Sequence, residues 1–203
     1  EEVRNAFLAA VLGIDLGEIV ESRILPSHLR QKDKDDKLGI LDVRVLLNNK
    51  EQIDIEIQVT ASEYWAERTL FYLGKMFTDQ LKPGEDYQKL EKCIHIGILN
   101  FTMFEDEEYY SCFHFWSDQG RKMYSDKVEI HTLELPKLAK YEYPETELLK
   151  WLQFINAETK EEFEMAAGKS EYIKKAYEDL NRISADEEKR LEYEARERAI
   201  RDH

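Results

Sequence analysis

The stretch GILDVRVLLNNKEQIDIEIQV, Gly39 to Val59, decides the fold of this chain. Its first part is apolar except for Asp42 and Arg44. Its second alternates strictly, with Ile53, Ile55, Ile57 and Val59 on one face and Gln52, Asp54, Glu56 and Gln58 on the other. Such alternation marks a half-buried strand. Between the two segments lies Asn48-Asn49, a pair that tolerates positive φ and suits a hairpin turn, so the strands are expected to pair antiparallel. On one sheet face residues two apart are neighbours and cross-strand partners sit roughly 4.5–5.5 Å apart, which lets Asp42, Glu56 and Gln58 converge. Two converging carboxylates can hold a hard divalent cation. The competing reading is an open, solvated face: Asp54 stands beside Glu56, and alternation alone puts acids there without any metal.

Outward from the hairpin, Val3 to Leu12 reads as a short helix and Glu18 to Leu25 as a strand or extended segment ended by Pro26, with Ser27 to Asp36 a polar connection. From Ser62 or Glu63 to about Leu81 the pattern turns helical, and Lys82-Pro83-Gly84 stops it. Lys92–Phe101, Tyr109–Trp116 and Val128–Leu135 read as three more strands with hairpin-like connections, and Glu145 to Asn156 as a helix. Beyond residue 157 charged helix formers dominate, with an amphipathic stripe at Tyr172, Ile173, Ala176, Tyr177 and Leu180 and a weaker one near Leu191 and Ala195. Ser184-Ala185-Asp186-Glu187 resembles a capped helix start. The expectation is a domain over 1–156 and a charged helical extension over 157–203, folded as a hairpin against the domain or another subunit.

With 203 residues, 42% of them hydrophobic, the chain can bury the core of one ordinary domain with residues left over. No apolar run approaches the roughly 20 residues a bilayer crossing needs, and no signal sequence opens the chain, so a soluble, cytoplasmic protein without membrane contact is expected. Cys93 and Cys112 lie in apolar strand-like runs and read as buried reduced thiols. His95, His114 and His131 fall in separate strands without ligand spacing and His28 in a loop, so core or surface histidines are expected. The chain has no glycine-rich phosphate loop, no G-x-S-x-G elbow and no nucleophilic Cys/His pair, which disfavours nucleotide hydrolysis and acyl transfer. A net charge of −14 argues against a broadly basic nucleic-acid surface. A local cationic group at Arg30, Lys32, Lys34, Lys37 and Arg44 is the exception, although the mixed sequence RQKDKDDK reads equally as a solvated loop.

The segment Lys37-Leu38-Gly39-Ile40-Leu41-Asp42-Val43 followed by Gln52-Ile53-Asp54-Ile55-Glu56-Ile57-Gln58 resembles the core motif of the PD-(D/E)XK nuclease superfamily, and more narrowly the recombination-promoting nucleases and transposases called Rpn. Ile24-Leu25-Pro26-Ser27-His28-Leu29, the run RTLFYLGKMFTDQLKPG from Arg68 to Gly84, CIHIGILNF, Leu133-Glu134-Leu135-Pro136-Lys137 and the tail EEKRLEYEARERAIRD fit that family as well. Each motif is weak alone; their order along the chain carries the resemblance.

The resemblance implies an α/β fold: an αβα restriction-endonuclease-like core on a mixed central sheet, here with a C-terminal helical tail. It implies a metal-dependent DNA endonuclease tied to recombination or mobile elements. Carried over, Asp42 and Glu56 are the metal-binding acids, the Ile57 carbonyl is a further ligand, and Gln58 stands where the superfamily usually has lysine. An amide lacks that lysine's charge and cannot be a general base, but it can orient a water or the phosphate. Mg²⁺ is the expected ion, with Mn²⁺ and Ca²⁺ also compatible with the donors. Lys37 and Arg68 are candidates for phosphate contact, a structural salt bridge being the alternative for each. The family usually has a further N-terminal segment, so a truncated N-terminal part is expected. The glutamine, the acidic surface and the long tail suit a second expectation, a catalytically weak or inactive assembly or DNA-binding module. A homodimer through the C-terminal helices is compatible with both.

Overall fold

The computed structural model describes residues 1–29, 41–185 and 191. Among them, contacts group the chain into two compact units, one of residue 1 with 14–144 and the other of 2–13 with the residues from 145 onward.

The first unit is a six-stranded mixed sheet in the order β1-β2-β3-β4-β6-β5, the α/β architecture expected. Its strands are β1 (Ser22–Leu25), β2 (Val43–Leu47), β3 (Glu51–Gln58), β4 (Cys93–Leu99), β5 (Tyr110–Trp116) and β6 (Met123–Glu134). The hairpin forms as read: β2 and β3 pair antiparallel, with Val43 opposite Ile55, and Asn48 and Asn49 take φ of 50° and 56°. Asn48 also organises the approach to β1, its Oδ1 accepting from the Val20 N–H at 2.8 Å and its Nδ2 donating to the Glu18 carbonyl at 3.0 Å. Those bonds replace strand pairing at 18–21, where Leu16–Glu18 forms a 3₁₀ turn, so β1 is shorter than expected.

The helix after β3 is α2 (Trp65–Thr78), and it returns the chain to β4, which runs parallel to β3. The connection from β4 to β5 is not a hairpin. β6 lies between them, parallel to β4 and antiparallel to β5, leaving β5 at the sheet edge.

β3 departs from the simplest reading of its alternation, because both of its faces are buried along part of its length, the apolar one fully at Ile53. The face with the acids is covered: Asp54 is 1% and Glu56 2% exposed, whereas Ile57 is 54% exposed. The cover is α2, whose Tyr72, Leu73 and Met76 pack with Leu29, Leu41 and Cys93 into one core. Nearer the acids, Trp65 approaches the sheet at Gly97, where an added Cβ would come within 2.8 Å of its Cζ2, so only glycine admits the indole there.

The second unit contains α1 (Glu2–Leu12), α3 (Glu147–Ile155), α4 (Lys160–Ala167) and α5 (Glu171–Ala185). An aromatic series runs through it, Phe7 against Trp151, Trp151 against Phe154, Phe154 against Phe163, and Phe163 stacked on Tyr177 with centroids 5.8 Å apart. Composition set α3 on the domain side of residue 157; its contacts are with α1 and α4. Sequence reading missed α4, whose capping box joins the Thr159 side chain to the Glu162 N–H and the Glu162 carboxylate to the Thr159 N–H. Ser184 and Ala185 do not start a helix but lie within α5. The stretch near Ala195 lies outside the described residues.

Candidate active site

Asp54 and Glu56 come from β3 and His95 from the adjacent parallel strand β4, and the register that sets Asp54 beside His95 and Glu56 beside Gly97 puts all three side chains on the face under α2. Asp54 Oδ2 lies 2.8 Å from His95 Nδ1. Glu56 pairs with Arg68, one turn into α2, its side chain 3% exposed against 39% for the arginine. The guanidinium also lies over the Tyr72 ring, 5.5 Å from its centroid. The Trp65 ring stands 5.7 Å from that of His95 and shields the cluster from solvent.

Burial pushes the Glu56 carboxyl up to about 7. Arg68 pulls against that rise, Asp54 adds to it, His95 opposes it and Asp42 adds a little more. Glu56 is thus poised between its two protonation states near neutrality.

Asp42 does not lie in a strand but immediately before β2, and its Oδ2 accepts from the Ile57 N–H at 3.2 Å. Extending the β2–β3 register by one residue sets Asp42 opposite Glu56. Gln58 is half-buried on the same face, two residues beyond Glu56, and its Nε2 donates to the Thr60 carbonyl at 2.8 Å. Arg44, across from Asp54, donates to Gln52 Oε1. Lys37, with Arg30, Lys32 and Lys34, lies outside the described residues.

Whether these residues suit a cation is decided by their unsatisfied atoms. Among the described residues Asp54 Oδ1, Glu56 Oε2 and His95 Nε2 are buried without a hydrogen-bond partner, and one ligand atom from each side chain lies within 4.8 Å of the others. An unsatisfied buried polar atom costs about 1–3 kcal/mol, more when charged, and a divalent ion offers what the oxygens lack. The carboxylate oxygens suit Mg²⁺ or Mn²⁺, while the imidazole nitrogen favours a transition ion over Mg²⁺. The donor set fits a metal.

In the sequence Asp54 entered only through the competing reading of a solvated face, and His95 as a core or surface histidine. The structure joins them in a buried pair. The signal was available in the match of IDIEI with IHIGI, but only a parallel β3–β4 pairing turns it into proximity. Of the cysteines, Cys93 is buried as expected; Cys112 is exposed, because β5 is an edge strand.

A family model described as PD-(D/E)XK nuclease family transposase matches residues 1–203. No curated protein and no solved structure matches the chain.

Proposed function

The chain belongs to the PD-(D/E)XK nuclease family of transposases, with the nuclease-type function that membership carries, and from that premise we propose that it is a metal-dependent DNA endonuclease of the Rpn type, hydrolysing phosphodiester bonds in recombination or element movement. The observation that carries this reading is the buried group of Asp54, Glu56 and His95 with three unsatisfied atoms, beside Asp42.

Asp42, Glu56 and the Ile57 carbonyl would hold the ion, with Asp54 and His95 beside them. When bound, Mg²⁺ or Mn²⁺ supplies a water of lowered pKa and neutralises charge that builds on the phosphate. The protein's own contribution is positional. His95 holds Asp54 in one orientation, and Trp65 keeps bulk water from the carboxylates. Arg68 neutralises Glu56 in the ion pair; a cation held by Glu56 would leave the half-exposed guanidinium available to a phosphate oxygen. Gln58 reaches the attacking water or the phosphate through its amide after exchanging its bond to Thr60. Lys37 remains a proposed phosphate contact.

A second reading, a catalytically weak assembly or DNA-binding module, is favoured by the same two residues: Gln58 brings no charge, and Arg68 is engaged with a would-be ligand. A homodimer through the C-terminal helices fits either reading, supported by Leu180 and Ile183, exposed by 40% and 45% on α5. No helix among the described residues is long and apolar enough to cross a membrane. The two readings separate in a plasmid-cleavage assay with Mg²⁺ and Mn²⁺. Nicking or linearisation that is lost in Asp42→Ala supports the endonuclease; no cleavage by the parent favours the module, and equal cleavage by the variant contradicts the role of Asp42.

A further inference from the structure

β5 and β6 carry two short patterns that the acidic centre does not use, Cys112-Phe113-His114 and Glu129-Ile130-His131. Residues two apart in a strand share a face, and the register sets Cys112 opposite His131, so the two patterns meet across the β5–β6 ladder. The face is not that of the first centre: β6 pairs with β4 so that Ile94 neighbours Glu129 and Ile96 neighbours His131, while His95 points the other way.

The side chains close on one point. Cys112 Sγ lies 3.7 Å from Glu129 Oε1, 3.9 Å from His131 Nε2 and 3.8 Å from His114 Nδ1. His131 Nε2 is 2.7 Å from Glu129 Oε1, and His114 Nε2 is 3.2 Å from Glu129 Oε2. Cys112, Glu129 and His131 each place a ligand atom within 4.8 Å of the others. We propose that these three residues form a zinc-class transition-metal site that ties β5 to β6, with His114 alongside it, its Nε2 3.2 Å from Glu129 Oε2.

Donor chemistry selects the ion. Thiolate, imidazole and one carboxylate are a borderline-soft set that suits Zn²⁺ or Co²⁺, whereas Mg²⁺ and Ca²⁺ take oxygens. Size agrees, since tetrahedral zinc bonds put a sulfur and a nitrogen roughly 3.6 Å apart, close to the sulfur separations here. The short Glu129–His131 contact is the hydrogen bond that the ion would replace. Outer contacts orient the ligands as metal sites require: the Tyr110 hydroxyl meets His131 Nδ1 at 3.0 Å, which aims Nε2 at Glu129 and Cys112, and Lys92 Nζ donates to Glu129 Oε2 at 2.8 Å.

The ladder gives such an ion a task. Register slips between Phe113 and Phe115 and again before Trp116, so the edge strand loses regular pairing from His114 onward. A metal bridging the two strands there would hold what backbone hydrogen bonds do not.

The test uses the metal-free full chain titrated with Co²⁺ and then Zn²⁺. The expected result is one equivalent of Co²⁺ bound with a thiolate-to-cobalt charge-transfer band and the intense visible bands of tetrahedral cobalt, both removed by Zn²⁺. Cys112→Ser abolishes the charge-transfer band. His131→Ala weakens binding by more than the roughly 10–100-fold that loss of an outer contact brings, with far-UV circular dichroism confirming that each variant is folded. Asp54→Asn/Glu56→Gln retains the band. No stoichiometric cobalt binding by the parent, a band that survives Cys112→Ser, or binding lost only with Asp54→Asn/Glu56→Gln overturns the assignment.

Discussion

Arg68 reaches from the first turn of α2 to the Glu56 carboxylate on β3, joining a half-exposed base to a buried acid. The pair links the helix to the strand at the point where the acids gather, and it decides how Glu56 behaves without a cation.

Removing the arginine should therefore hurt most where Glu56 is charged. Arg68→Ala is expected to cost about 1–2 kcal/mol at pH 8, a figure reduced for the arginine's exposure, and much less at pH 5. Urea denaturation at the two pH values checks the difference, and carboxyl NMR should show Glu56 titrating above its parent value. Arg68→Lys should restore part of the stability, as a point charge without the planar fork.

Glu56 gives the metal-free protein a pH dependence of defined sign. Its folded value of about 7 exceeds the unfolded 4.5, so between these pH values the folded chain binds the extra proton. The contribution to stability is fully present below about pH 4.5 and is lost as pH rises to about 7, a change of about 3 kcal/mol. Denaturation in chelator across pH 5 to 8 should show this fall, and Glu56→Gln should flatten it.

At Gly97 a methyl group would meet Trp65 Cζ2 at 2.8 Å. Gly97→Ala is expected to displace the indole and cost about 1–3 kcal/mol by overpacking. Thermal unfolding measures the loss, and a red-shifted tryptophan emission would report the indole's exposure. Unchanged stability and emission would mean that Trp65 does not depend on the gap.

Lys137 is buried, and its ammonium donates to Glu134 Oε2, Asp106 Oδ1 and the Glu108 carbonyl, each at 2.9 Å. Glu134 in turn accepts from the Met103 and Phe104 N–H groups, so the pair fastens the loop after β4 to the end of β6. Lys137→Met leaves Glu134 buried without its cation and should cost about 3–5 kcal/mol. The double variant Lys137→Met/Glu134→Leu should recover part of this in the same denaturation assay.

How much of this was legible in the sequence divides along physical lines. The hairpin was, because strict alternation and two turn-forming asparagines are local signals. So were the helical period of α2 and the existence of each strand. Alternation tells which residues share a face; it does not tell which face a later helix covers, and so a solvated face stood as the competing reading for Asp54 and Glu56, which α2 buries. Strand order is non-local in the same way, and nothing between Phe101 and Tyr109 says that β6 will lie between β4 and β5. His95 looked isolated because its partner Asp54 stands 41 residues away, and His131 because Cys112, which joins its near neighbour Glu129, stands 19 residues away. The capping box of α4, by contrast, stood in plain view at Thr159 and Glu162.

The central claim is that the acids at the β2–β3 hairpin hold the ion on which cleavage depends. Its most direct test is calorimetric titration of Mn²⁺ and Mg²⁺ into the parent and into Asp42→Ala/Glu56→Gln, with plasmid cleavage followed on the same preparations. The account predicts binding and metal-dependent cleavage by the parent, both lost in the double variant while its fold is retained. Cleavage that persists in the double variant, or a folded parent that neither binds the ion nor cuts DNA, would contradict it.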